Sequence, residues 1–214
     1  VIPVNVSLLK NTRNHGAVYL LGCGPSLGEF EPKPGIDLIG LNRSWLRFPD
    51  CDDRVIVDAA NYIDIRDGRQ GCQPPWRLWM PLPRVAQQVP DLGPRASNME
   101  LVTITHLVLP RRRPVFQLNL EEGSWAPFCG LFALEIAVWL GYTDIRLAGF
   151  DGVAKSHFFD DSGFGQKPRA VTEALFRSWE TWFLDAARVL AAERPEVKVC
   201  FVTPTAHQAF TELS

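Results

Sequence analysis

Short apolar runs, each closed by a glycine or a polar residue, alternate along this chain with stretches of helical periodicity. Ala17–Leu21, Asp37–Leu41, Arg54–Asp58, Ile145–Ala148 and Val197–Val202 read as strands, and Arg77–Met80 is a shorter candidate. Leu101–Leu109 and Val115–Leu118 read as strands around an Arg-Pro turn. Ala59–Arg66 predicts a short helix, and Leu131–Leu140 a longer one stopped by Gly141. In Val171–Ala192, Leu175, Trp179, Trp182, Phe183, Ala186 and Leu190 fall on one helical face. Strands alternating with helices predict an α/β fold with a mostly parallel, doubly wound sheet, in a single domain over residues 1–214. Two segments interrupt the pattern: an irregular insertion rich in Pro and Trp at about 68–100, and a long loop at 152–168.

The most informative corner is Gly22-Cys23-Gly24-Pro25-Ser26, entered directly from the first strand. Two glycines around one residue let the backbone turn sharply and let a ligand approach without a Cβ in the way. Pro25 fixes φ where a helical turn begins. Amide groups at such a corner favour phosphate, so a nucleotide phosphate over Gly22–Ser26 is the expectation. A side chain at Gly24 would then block the ligand and leave the fold largely intact. The same residues also serve a tight turn with no ligand, because a third glycine is missing at Leu27 and no phosphate-loop lysine follows.

Doubly wound sheets bind ligands beyond the carboxyl ends of their strands. Asn42 and Asp151 follow predicted strands and Asp58 ends one, so all three would share that edge with the glycine corner. Asn42 could bond a base or ribose, Asp151 a sugar hydroxyl or the loop, and Asp58 is a weaker candidate of the same kind. Each has a plain alternative as a turn or cap residue. His157, within the 152–168 loop, is the best-placed general base by residue type.

Composition narrows the classes. The chain has 214 residues with 46% hydrophobic and 21% charged content and a net charge of −2, ordinary for a globular α/β domain and no general nucleic-acid surface. Arg111-Arg112-Arg113 reads as a solvated turn. No apolar run is long enough for a membrane span, and none reads as a signal peptide. Five scattered cysteines without a Cys-x-x-Cys pair suggest neither a disulfide framework nor a zinc knuckle, and a reducing cytoplasm is expected.

Four segments together resemble a known superfamily: Gly22-Cys23-Gly24-Pro25-Ser26-Leu27; Gly40-Leu41-Asn42; Cys129-Gly130-Leu131-Phe132-Ala133 with Leu140–Asp151; and Val202-Thr203-Pro204. They are similar to the bacterial sialyltransferases of glycosyltransferase family 42, and to a related group that includes archaeal hydroxymethylpterin diphosphokinases. The resemblance implies a Rossmann-like domain with a lid at 152–168. It implies a nucleotide site of Gly22, Cys23, Gly24, Pro25, Ser26, Asn42, Cys129, Gly130 and Asp151, and a CMP-linked sugar donor with no required cofactor or metal. It implies direct displacement, with His157, or Asp161 in a shifted assignment, as base. Lys155 or Arg169 could serve as a phosphate donor group, Asp58 and Trp125 could meet substrate, and the acceptor is unspecified. Cys23 and Cys129 stand where that family carries Asn and Ser, and the lid lacks its tyrosines. The alternatives are a Mg²⁺-dependent diphosphokinase acting on a small hydroxymethyl substrate, and a nucleotide-binding or assembly protein without catalysis.

Overall fold

A computed structural model describes residues 2–13, 16–51, 53–67, 77–82, 99–105, 116–152 and 173–210. The strands are β1 (Ile2–Pro3), β2 (Ala17–Leu21), β3 (Asp37–Leu41), β4 (Asp53–Val55), β5 (Arg77–Leu82), β6 (Glu100–Thr105), β7 (Asp144–Ala148) and β8 (Lys198–Phe201). The helices are α1 (Ala59–Asp67), α2 (Cys129–Leu140) and α3 (Glu173–Glu193). All eight strands form one parallel sheet in the order β1-β6-β5-β4-β3-β2-β7-β8. The predicted doubly wound α/β fold is the observed one.

Both faces of the sheet are covered, which is why its strands read as apolar runs rather than as alternating patterns. Val18 and Leu20 of β2, with Ile39, Leu41, Val55, Ile145 and Leu147, face the core under α2 and α3. Tyr19, Leu21 and Ala148 turn to the other face with Leu27 and Cys51, and Ile56, Leu78 and Met80 pack there with Tyr62 and Ile65 of α1. α2 is buried at every residue. It ends at Gly141, whose φ of 95° only glycine adopts without strain.

The amino-terminal edge of the sheet is held by charge. Arg13 pairs with Asp37 (3.6 Å) and Asp53 (3.5 Å), and Arg77 with Asp53 (3.5 Å) and Glu100 (2.7 Å), linking the first residues of β3 to β6.

Two expectations are corrected. Residues 116–118 are not a strand: the Gln117 N–H donates to the Glu135 carboxylate (2.8 Å) instead of to a neighbouring strand. β4 stops at Val55, so Asp58 does not end a strand but lies three residues beyond it. The strand expected at Arg77–Met80, within the 68–100 segment, is β5, which runs on to Leu82 and pairs along its length with β6. Residues 68–76, 83–98 and 106–115, including the arginine run, lie outside the described residues.

Candidate functional site at the strand switch point

The sheet changes winding direction between β2 and β7. From β2 the chain winds outward through β3 to β6; from β7 it winds the other way to β8. Such a switch point opens a crevice beyond the strand ends. Gly22–Ser26 follow β2 there, and Gly149–Asp151 follow β7.

These two segments are packed onto each other. Gly22 N–H donates to Ala148 O (2.8 Å) and Gly24 N–H to Gly149 O (2.8 Å). A Cβ at Gly22 would stand 2.4 Å from Gly149 O, and one at Gly24 would stand 1.9 Å from Asp151 Oδ2. Pro25 opens a 3₁₀ turn, Pro25–Glu29, as its ring favours. Asp151 caps that turn: its carboxylate accepts from Ser26 N–H (3.1 Å) and Ser26 Oγ (2.9 Å). The amides of Gly22, Gly24 and Ser26 have partners within the chain, and the Asp151 carboxylate stands beside them. The expectation that a side chain at Gly24 would leave the fold largely intact is corrected. The glycines are needed because two backbone segments approach, and a larger residue would damage the fold itself.

The next layer is built on Asn42, immediately after β3. Asn42 holds φ at 47°, a left-handed conformation uncommon for a side-chain-bearing residue. Its neighbours enforce it. Leu41 O accepts from Cys23 Sγ (3.3 Å), and the buried Arg43 is locked to Asp64 of α1 at 2.9 Å. Cys129 Sγ donates to Val55 O (3.3 Å), and Val55 is the register partner of Leu41. The Asn42 amide reaches the Cys129 sulfur, and those of Arg43 and Ser44 reach Cys23. Two sulfurs thus bracket the turn that begins at Asn42. Burial pushes the Cys23 thiol up to about 12 against these amides, and raises that of Cys129 as well. Both are neutral thiols at physiological pH, without the thiolate that a nucleophile needs. Between them, Asn42 Oδ1 is buried and has no hydrogen-bond partner among the described residues.

α2 starts in the same place. Phe128, at its N-cap, offers no side-chain cap, so the first amides of the helix are left for other partners. Gly130 is required there, since a Cβ would stand 2.7 Å from both the Phe128 and Phe150 rings. Asp58 is exposed, and its charge acts on Cys129, which puts it at the rim. The structure thus gathers Gly22, Cys23, Gly24, Pro25, Ser26, Asn42, Cys129, Gly130 and Asp151 at one edge, with Asp58 beside them. Trp125 is half-buried in the loop before α2. Lys155, His157 and Asp161 lie outside the described residues. Among the described residues no group of three or more His, Cys, Asp or Glu is arranged to hold a metal, and no helix is long and apolar enough to cross a membrane.

Sequence reasoning missed the tail after β8. Gly149 N–H donates to Thr203 Oγ1 (2.9 Å), Thr205 Oγ1 to Phe150 O (2.6 Å), and Ala206 N–H to Asp151 O (2.8 Å). The Thr203-Pro204 segment hinted at it; nothing in the sequence tied it to Asp151.

No family model and no curated protein matches the chain in sequence. Solved structures do match in fold. The MAf glycosyltransferase from Magnetospirillum magneticum AMB-1 superposes with a TM-score of 0.54 at 15% identity, over 95% of this chain and 36% of that one. Monomeric CstII superposes at 0.53 and 15%, over 88% and 81%. The Campylobacter jejuni sialyltransferase CstII, in complex with the substrate analogue CMP-3FNeuAc, superposes at 0.52 and 13%, over 91% and 87%. The chain shares its fold with solved glycosyltransferases. It spans about a third of the length of the MAf chain. Fold alone does not carry activity across at these identities.

Proposed function

We propose that this domain binds a nucleotide-linked sugar, CMP-linked, and transfers the sugar to an acceptor hydroxyl. The observation that carries the reading is Asn42: a left-handed backbone held by its neighbours, with a buried amide oxygen that has no donor among the described residues. A polar atom left in this state costs stability, about 1–3 kcal/mol when a buried group is unpaired, unless a ligand supplies the partner. A nucleotide N–H or ribose O–H would do so. The shared fold and the position at the switch point support the same reading.

The glycine corner does not take the phosphate in this proposal. The uncapped first turn of α2, at Cys129 and Gly130, is the better anion site, because its amides and the helix dipole favour negative charge. In the transfer, the acceptor oxygen bonds to the anomeric carbon as the bond from that carbon to the phosphate oxygen breaks. The acceptor proton goes to His157 or Asp161, and the nucleotide monophosphate leaves with the electron pair. Lys155 would assist at the phosphate.

A second reading, nucleotide binding without catalysis, is favoured by the two neutral, inward-turned thiols at Cys23 and Cys129. The Mg²⁺-dependent diphosphokinase is the third. Calorimetric titration with CMP, CDP, UDP and ATP, with and without Mg²⁺, separates them. CMP binding indifferent to Mg²⁺, and donor turnover that survives EDTA, support the transferase. ATP binding that needs Mg²⁺ would favour the diphosphokinase. Binding of none of the four would end the nucleotide reading.

A further inference from the structure

Asp151 is gripped at two ends by parts of the chain that have no other business together. Its carboxylate caps Ser26, and its main-chain carbonyl is held by Ala206 of the tail. Gly149, with φ of 72°, and Gly152, with φ of 64°, flank it closely on either side. Glycines at such angles resist rotation little, so Asp151 depends on its contacts for position.

Glu180 of α3 holds the tail at two points. Glu180 Oε1 accepts from Gln208 N–H (3.0 Å), and Glu180 Oε2 lies 2.7 Å from His207 Nδ1. His207 is buried, stacked on Phe201 at 5.7 Å and edge-on to Phe183 at 5.2 Å. Thr205 Oγ1 then accepts from His207 N–H (3.0 Å) while donating to Phe150 O. This apolar surround lowers the affinity of the His207 ring for a proton, so the imidazole is neutral near pH 7 and its Nδ1–H donates to the Glu180 side chain.

We propose that Glu180 and His207 are positioning residues: they latch the tail onto α3, and the latched tail sets Asp151 against Ser26 and so fixes the shape of the glycine corner. The continuous path Glu180, His207, Thr205, Phe150, Asp151, Ser26 is made of hydrogen bonds and one peptide step, so loosening its first member frees its last. The consequence for ligand affinity rests on the proposed nucleotide reading; the latch does not.

The test is amide hydrogen exchange on the whole chain, read at Ser26, Ala206 and Gln208, with strand amides of β2 as the internal control. In Glu180→Ala, Ser26 should exchange at least tenfold faster while β2 stays protected. Glu180→Gln should restore protection, because the amide still accepts from Gln208 and can donate to Nδ1. Thr205→Val removes the hydroxyl link without touching Glu180 and should speed Ser26 similarly; it also decides the matter if Glu180→Ala does not fold. Faster exchange at Gln208 with Ser26 unchanged in both variants would overturn the proposal. So would a Glu180→Gln protein as fast at Ser26 as Glu180→Ala. A CMP titration of the same proteins should show at least tenfold weaker binding for Glu180→Ala. A wild-type chain that binds no CMP while Ser26 responds as described would sink the nucleotide reading and leave the latch standing.

Discussion

Glu135 should make this protein lose stability as the solution becomes alkaline. It lies in the middle of α2, buried, and its carboxyl group accepts from Gln117 N–H (2.8 Å) and Ser124 Oγ (2.5 Å). Burial favours the uncharged acid and the two hydrogen bonds favour the anion; burial wins and pushes the group up to about 8 from 4.5. The sign follows. The folded chain holds this proton more tightly than the unfolded chain, so the contribution is complete below about pH 4.5 and drains away as pH rises through about 8. At ~1.4 kcal/mol per unit, that interval corresponds to on the order of 3–5 kcal/mol. This is a large part of the ~5–15 kcal/mol that holds a domain folded. The perturbation is Glu135→Gln, which keeps the volume and removes the titration. Urea unfolding of both proteins from pH 5 to 9 gives the stability difference, in which other groups cancel. The wild-type stability minus that of the Glu135→Gln protein should fall by several kcal/mol across that range. A difference that is flat, or that rises with pH, would mean that the carboxyl is ionised in the fold and that the hydrogen bonds outweigh burial.

Further tests bear on the site itself. Gly24→Ala should lower the melting temperature by ~4 °C or more, as a loss of ~2 kcal/mol would in a chain of this size, because its Cβ meets the Asp151 carboxylate. Asp151→Ala should cost ~1–2 kcal/mol in urea unfolding by uncapping Ser26, with Asp151→Asn closer to wild type. Asn42→Ala should leave stability within ~1 kcal/mol, since the strained φ and the removed orphan oxygen oppose each other, while CMP affinity falls at least tenfold; Asn42→Gly should relieve the backbone without restoring affinity. His207 acts opposite to Glu135: burial depresses it, so its contribution is present above about pH 6.5 and is lost as pH falls below, a slope that His207→Gln should remove.

The strands were legible because both faces of the sheet are buried. Ala17–Leu21 and Asp37–Leu41 are continuous apolar segments with the bounds expected, and Gly141 marked the end of α2. β1 was missed because two exposed residues, Ile2 and Pro3, carry no pattern. Val115–Leu118 misled because Phe116 and Leu118 pack into the core without pairing to a strand, while Gln117 serves Glu135. At the site, residue types located the corner. Gly22 and Gly24 read as room for a close approach, and Gly149 and Asp151, more than a hundred residues away, make one. Local sequence cannot reveal a partner at that separation. The same holds for Glu180 and His207, whose meeting depends on α3 and the tail passing each other.

The place of β2 in the sheet has a consequence for how the chain is made. β2 pairs with β3 on one side, and on the other with β7, whose register partners begin at Asp144. During synthesis the first six strands can assemble while the far edge of β2 stays bare: Val18, Tyr19, Leu20 and Leu21, with open main-chain groups and nothing beside them. Contacts spanning so much sequence form slowly, and an unpaired apolar edge invites the wrong strand. Until β7 docks, Gly22 and Gly24 have no acceptors and Ser26 no cap. The corner most readable in the first thirty residues is thus among the last to acquire its shape, and a nascent chain would be vulnerable to aggregation through that interval.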